Sequence, residues 1–335
     1  MKAVVLHEHG PMDRLVFEEN FPDPVCGPGD VIVGVKATSL NYHDLFTRNG
    51  MPGIKLDLPI ICGLDVAGEI VEAGTKVKSW AVGDAVLIDP RNRVEGGLVG
   101  ETVNGGLAEY CRVPAHQLVK IPEGVPFDQA ASLPVAIGTA HRMMVTRGQV
   151  EADDKVLILG ASGGVGTGAL LLAKIFGAEV VACGSTEAKL KALTKLGADH
   201  VINYKETDFV REVWNLYTKP HRREYEGGVT VVVNFTGGDT WVQSMRCLRR
   251  GGRLLTCGAT DSYNPPTDLR YVWSFEFDIR GSNSWEQEDL TALLNYISEG
   301  RMIVPIAGTF PLPQATEALR LIEDRKAIGK VIVTP

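Results

Sequence analysis

The chain has 335 residues, 44% hydrophobic and 22% charged, with 34 Lys and Arg against 41 Asp and Glu for a net charge of -7. It is long enough to bury a large core and divides most simply into two domains. The acidic balance, in which no Lys or Arg block exceeds three, speaks against a phosphate-backbone partner. The opening MKAVVLHEHG has no signal core, and the most apolar stretch, 168–183, is broken by Lys174 and Glu179, so the expectation is a cytoplasmic protein with neither membrane nor nucleic acid as partner.

The first 125 residues read as short β-branched runs between Gly, Pro and Asp: AVVL (3–6), DVIVGVKAT (30–38), AGEIVEAG (67–74), DAVLID (84–89), AEYCRV (108–113) and LVKIP (118–122). At Phe127 the period changes. FDQAASLPVAIGTAHRMMVTRG (127–148) reads as a mostly apolar helix, and strands and helices then alternate, which is the pattern of a parallel sheet. KVLILG (155–160) is a buried strand. GVGTGALLLAKIFG (164–177) is a helix with Val165, Ala169, Leu172 and Phe176 on one face, and EVVACG (179–184) is the next strand. A helix capped by Ser185 or Thr186 presents Leu190, Leu193 and Leu196, ends at Gly197 and leads into the strand HVINY (200–204).

A second half continues the alternation, with helix 208–217, strand TVVVNF (230–235), helix 240–249, and strands RLLTCG (253–258) and FDIRGS (277–282). The expected fold class is therefore α/β, a doubly wound parallel sheet of about six strands spanning 127–285. It is joined to a β domain built from 1–126 and 286–335, whose tail has two more helices and a closing strand KVIVT (330–334). The six cysteines (Cys26, Cys62, Cys111, Cys183, Cys247 and Cys257) form no C-x-x-C pair and read as reduced thiols, not as a disulfide framework or zinc knuckle.

At the first strand-to-helix turn, LGASGGVG carries Gly160, Gly163 and Gly166. A tight turn, close approach to a pyrophosphate and close helix packing each require glycine there, and the helix N-terminus faces the phosphates. The spacing alone would suit any tight turn. Its place between strand and helix in a double crossover points to a dinucleotide held by Ser162, Gly163, Gly164 and Val165. At the end of the second strand, ACGSTEAK offers Gly184 and Ser185 where an NAD site places an acid, and Lys189 comes one helical turn later. A solvated helix lysine is the plain alternative, but with the missing acid the set points to NADPH.

Taken together, these motifs resemble the medium-chain dehydrogenase/reductase superfamily, and within it the zinc-independent quinone oxidoreductase branch. The resemblance rests on MKAVV, PGDVIV, NYHD, GLDVAGEIVEAG, VGDAV, GGLAEYCRVPA, GASGGVG, LGADHVINY and IGKVIV, which run the length of the chain. It implies a GroES-like domain in two segments flanking a Rossmann domain, an active site in the cleft between them, and a homodimer or homotetramer. It further implies that Lys189 and Tyr204 hold the 2′-phosphate of NADPH, and that Thr139, Thr236, Gly258, Ala259 and Ser282 lie near the nicotinamide.

In zinc-bearing relatives a cysteine opens the NYHD position and a histidine comes after the glycine of GLD; here those places hold Asn41 and Leu64. Two of the usual three protein ligands are thus replaced by an amide and an alkyl group, so no catalytic metal is expected. His43, Asp44, Cys62 and Asp65 form the rival donor set. By the resemblance Asn41 contacts the nicotinamide or the substrate carbonyl, and His43 stands in a proton-relay position that an imidazole can fill, the alternative being a hydrogen bond within its own loop. Asp44 reads as a cap for DLFTRNG. Asn41, Tyr42 and His43 are the candidate donors to an enolate oxygen. The expected activity is metal-free, NADPH-dependent hydride delivery to a quinone or to the activated C=C of an enone or enoyl thioester. An alcohol or polyol dehydrogenase, and an NADPH-binding protein with a structural or sensing role, are the alternatives.

Overall fold

The computed structural model describes residues 1–51 and 55–335. The chain forms two compact units, Met1–Ala136 with Gln287–Pro335, and Ile137–Glu286. Among the described residues, no helix is long and apolar enough to cross a membrane.

The unit Ile137–Glu286 is built on a six-stranded parallel sheet. Its order is His200–Asn203, Glu179–Gly184, Lys155–Ile158, Val229–Val233, Leu248–Thr256, Asp278–Gly281. The first strand in the chain is therefore central, with the second and third to one side and the fourth to sixth to the other, the order of a doubly wound fold with its switch point beside Lys155–Ile158. The apolar runs result from this placement, because strands covered on both faces need no polar alternation: Val156, Leu157, Ile158, Val180, Val181, Val231, Val232 and Val233 are all fully buried. The helix Gly164–Ile175 buries Ala169, Leu170, Leu172 and Ala173.

The other unit is a β structure. Strand Asp30–Leu40 pairs antiparallel with Asp65–Ala73, Tyr110–Pro114 and Lys330–Thr334, and the last of these pairs in parallel with Ile306–Pro311. A smaller sheet joins Leu15–Glu18, Ala3–Leu6 and Ile60–Ile61. The C-terminal tail thus completes the sheet begun near the N-terminus.

Several elements differ from expectation. The run expected as one helix is divided: α-helix at Phe127–Ala131 and Thr139–His141, with wider π turns at Leu133–Gly138 and Arg142–Arg147. Pro134 has no N–H to donate and its ring collides with the carbonyl four residues back, which the wider turn at Leu133–Gly138 relieves. The boundary between the units falls inside this run instead of before it. Two contacts tie its first half to the β unit: the Val135 N–H donates to Asp65 Oδ1 at 2.9 Å, and the Gln129 amide pairs with the Val304 backbone. The helix expected at 240–249 is Gly238–Cys247, and strand Leu248–Thr256 begins directly after it. A helix at Tyr42–Asn49 starts ahead of Asp44, the residue expected to cap it, with Asn41 at its N-cap.

Candidate active site

In the β unit, strand register gathers a polar cluster. Ser39 stands opposite Asp65 on one neighbouring strand and Ile332 on the other, with Leu40 opposite Val331. Asp65 and Lys330 therefore flank the end of the strand that leads into Asn41. Asp65 is fully buried. Its Oδ2 accepts from Ser39 Oγ at 2.8 Å, Asn41 Nδ2 at 2.8 Å and Lys330 Nζ at 3.2 Å. Lys330, only 2% exposed, also donates to the Leu40 carbonyl at 2.9 Å and to Asn41 Oδ1. Burial pulls the lysine pKa below its ordinary value, with Asp65 and Asp44 acting in the opposite direction. A buried ammonium is tolerable here because its protons find acceptors and a carboxylate faces it.

Asn41 is 5% exposed, and its amide is engaged at both ends, the oxygen by Lys330 and the nitrogen by Asp65. Held this way it organises the cluster and starts the helix Tyr42–Asn49. Asp44, in the first turn, reaches back so that its Oδ2 accepts the Asn41 N–H at 2.7 Å, and its Oδ1 accepts the Gly63 N–H at 3.1 Å. Burial, with a contribution from Asp65, pushes the Asp44 pKa up to about 6 against those two hydrogen bonds and the charge of His43. The helix closes at Gly50, where φ is +82°.

The His43 side chain projects from the first turn and pairs through Nε2 with Glu101 Oε2, a buried carboxylate 58 residues away in sequence. Burial opposes charging of the ring, but the Glu101 hydrogen bond and charge, with Asp44 and Asp65, outweigh it and raise the pKa above its ordinary value. Tyr42 and Phe46, each 37% exposed, stand on the same helix with ring centroids 5.2 Å apart, and Phe46 meets the His43 ring edge-on at 6.2 Å.

Among the described residues, no group of three or more His, Cys, Asp or Glu side chains is arranged to hold a metal ion. The rival donors each have other partners: His43 has Glu101, Asp44 has backbone N–H groups, and Asp65 has Lys330 and its neighbours. Burial pushes the Cys62 thiol well above its ordinary pKa, with Asp44 adding to the effect.

In the other unit the glycine turn has the form that a pyrophosphate needs. Gly160 has φ +66°, and a Cβ on Gly166 would lie 2.3 Å from the Gly160 carbonyl oxygen, so neither tolerates a side chain. A Cβ on Gly163 would meet only Gly160 O at 3.6 Å. The space before the helix N-terminus is therefore open, and the Gly163 N-cap contributes no side-chain hydrogen bond. Ser162, Gly164 and Val165 complete the turn. At the far end, Gly184 pairs with Asn203, which brings Ser185 and Tyr204 out side by side as their strands end. Thr186 Oγ1 accepts the Lys189 N–H at 3.3 Å and fixes the first turn of the helix that carries Lys189.

Gly258, Ala259 and Ser282 line a single hollow of about 610 Å³ with Gly237, Trp241, Cys257 and Ser262. Thr236 adjoins it, its N–H and that of Gly237 held by Asn234 Oδ1. Ser282 Oγ is buried without a hydrogen-bond partner among the described residues, which suits a polar ligand group such as a carboxamide. Thr139 is half-buried in the helical run of the same unit and does not line this hollow. These residues fit a nicotinamide dinucleotide: an open glycine turn before a helix N-terminus suits phosphates, and a lysine, a tyrosine and an orphaned hydroxyl are available to further polar groups.

Sequence reasoning missed Glu101 and Lys330 as partners. Glu101 lay in the loop 92–106, whose side-chain directions a single chain does not reveal, and Lys330 read as the start of an apolar strand. Residues 27–123 match the family described as alcohol dehydrogenase GroES-like domain, and residues 164–299 match zinc-binding dehydrogenase. Acryloyl-coenzyme A reductase of Sulfurisphaera tokodaii is 33% identical, with 100% of each chain covered. The NADPH-dependent alkenal/one oxidoreductase of Arabidopsis thaliana is 32% identical, covering 100% of this chain and 80% of its own. A solved structure described as an NAD-dependent alcohol dehydrogenase superposes with TM-score 0.92 at 32% identity over the full length of both chains. With both domain families matched in order and full-length relatives at this identity, the chain belongs to the medium-chain dehydrogenase/reductase superfamily of nicotinamide-dependent oxidoreductases.

Proposed function

We propose that this protein reduces an activated C=C, in a conjugated enone or enoyl thioester, or a quinone, with NADPH as reductant and no catalytic metal. The observation that carries the reading is the buried Lys330 ammonium, bonded to Asp65 and to the Asn41 carbonyl oxygen. A fixed cation already stands among the oxygen donors of the place where zinc-bearing relatives hold their ion. Leu64 beside it is 1% exposed and offers no donor. Without a Lewis acid, an acceptor already activated by conjugation is favoured over an isolated carbonyl or an alcohol. The names of the acryloyl-coenzyme A and alkenal/one relatives support the same substrate class.

A reduced nicotinamide, when bound, supplies the hydride. Gly164 and Val165 present N–H groups to its phosphates, with Gly163 keeping the approach open, Lys189 and Tyr204 receive the 2′-phosphate, and Ser282 meets the carboxamide. His43 supplies the proton that balances the hydride. Asn41, with its amide engaged, positions the helix that carries His43, and the exposed Tyr42 offers a hydroxyl beside it.

The test is oxidation of NADPH, followed by its absorbance, against a panel of enones, enoyl thioesters, quinones and alcohols, using untagged protein with its metal content measured. We expect turnover with the conjugated acceptors, undiminished by prolonged chelation. Stoichiometric zinc, with activity lost on chelation and restored by zinc alone, would overturn the reading and move the protein toward alcohol oxidation.

A further inference from the structure

Glu101 is an acid whose burial needs explaining. Its side chain is 9% exposed, and among the described residues it pairs with His43. Burying a carboxylate is costly, and an ion pair of this kind contributes little net stability, so its placement calls for another reason. The loop that carries it is tightly specified. Gly100 has φ +76°, and a Cβ there would lie 2.6 Å from the Gly63 carbonyl carbon, so the loop backbone rests directly on Gly63. The Glu101 and Thr102 N–H groups both donate to the Leu98 carbonyl, at 3.1 and 2.9 Å, and the Gly100 N–H donates to the Val103 carbonyl at 2.8 Å. Gly63 in turn donates to Asp44 on the helix that bears His43. Loop, connector and helix are therefore locked together around one contact.

That contact fixes which ring nitrogen is available. Nε2 faces Glu101, so Nδ1 is the nitrogen left to face a ligand, on a side chain that keeps 27% of its surface exposed and meets the Phe46 ring edge-on. We propose that Glu101 is the positioning residue that holds His43 with Nε2–H bound and Nδ1–H directed to the substrate, making His43 the proton donor. This rests on the reductase reading above.

In the step, hydride adds to the β carbon of the acceptor and the nicotinamide is oxidised by two electrons. The α carbon then takes the proton from Nδ1, whose N–H bond electrons stay on the ring. The imidazole is left neutral with Nε2–H still donated to Glu101, and Nδ1 regains its proton from water. For a quinone the proton goes to oxygen. The charged groups that bear on the ring are Glu101 from the loop, Asp44 from its own helix and Asp65 from the neighbouring strand, where Lys330 faces Asp65.

The experiment compares the unmodified protein with Glu101→Gln, His43→Asn and the double variant. Amide hydrogen exchange over residues 30–40 serves as the check that the β unit is folded, and the His43 ring is followed by nitrogen NMR over a pH series. For Glu101→Gln we expect kcat to fall roughly 10- to 100-fold with NADPH affinity unchanged, the kcat pH profile to move to lower pH, and the Nε2-protonated tautomer to lose its dominance. His43→Asn should lose about two to four decades, and adding Glu101→Gln to it should cost nothing more. An unchanged pH profile and unchanged His43 tautomer in Glu101→Gln would overturn the proposal. So would an equal loss from Glu101→Gln in the His43→Asn background, which would make Glu101 structural. If the unmodified protein reduces no acceptor, the reductase reading fails, and the NMR comparison still decides whether Glu101 sets the state of His43.

Discussion

At the scale of single residues, the proposed preference for NADPH rests on the side chains just beyond the second strand of the parallel sheet. Gly184 ends that strand without a carboxylate for the ribose hydroxyls, Thr186 sets the helix turn that carries Lys189, and Tyr204 leaves the adjacent strand in register with Ser185. A charge-assisted contact to a 2′-phosphate contributes about 1.5 to 3 kcal/mol, roughly one to two decades in affinity. NADPH should therefore bind at least tenfold more tightly than NADH, and Lys189→Ala should erase most of the difference; equal dissociation constants for the two cofactors in the unmodified protein would refute it. The elements that carry these residues were legible because they are local: strand, glycine turn and helix lie within 155–189. The pairings of the polar cluster in the β unit were not. His43 finds Glu101 across 58 residues and Asn41 finds Lys330 across 289, and no periodicity encodes pairings of that range.

At the scale of elements, the helix Tyr42–Asn49 shows a cap with a built-in pH dependence. Asp44 ordinarily titrates near 3.8, and burial raises it to about 6, so the folded state holds the proton more tightly than the unfolded chain. The stability this gives is fully present below the unfolded pKa and is lost as pH rises through the folded one. Between pH 5 and 6.5 the loss is about 1 kcal/mol. The raised pKa of His43 acts in the same direction, but above its ordinary 6.5, outside this window. Asp44→Asn removes the titration while keeping an acceptor for one of the two N–H groups. Urea unfolding should therefore show the unmodified protein losing about 1 kcal/mol more than the variant between pH 5 and 6.5, and parallel losses would sink the assignment. The helix itself was hard to read because its buried face holds Asp44, Thr47 and Arg48 beside Leu45, so it lacks an apolar stripe. The buried strands of the parallel sheet, continuous and β-branched, had no such ambiguity.

At the scale of the whole molecule, the two units differ in how the chain supplies them. Ile137–Glu286 is one continuous piece that contains all six strands of its sheet and a core running from Leu157 to Phe277. The β unit is made from two pieces, and its second piece is not ornamental. A chain ending at residue 286 would lose Lys330–Thr334, the partner of Thr38, Ser39 and Leu40 at the end of strand Asp30–Leu40. It would also lose Val331, Ile332 and Val333, each no more than 1% exposed and each contributing about 1.5 to 3 kcal/mol of burial. Asp65 would remain in a dry site without its ammonium, a loss of about 3 to 5 kcal/mol. Together these reach the whole stability of an ordinary domain, about 5 to 15 kcal/mol. We therefore expect residues 137–286 alone to fold and to bind NADPH, and residues 1–286 to contain a folded parallel sheet beside an unfolded N-terminal segment. Amide hydrogen exchange over residues 30–40 reads the difference directly, since those amides should be protected in the full chain and exchange freely in the shortened one. Protection that survives the truncation would mean that the N-terminal piece builds its sheet unaided and that Lys330 is not needed to bury Asp65.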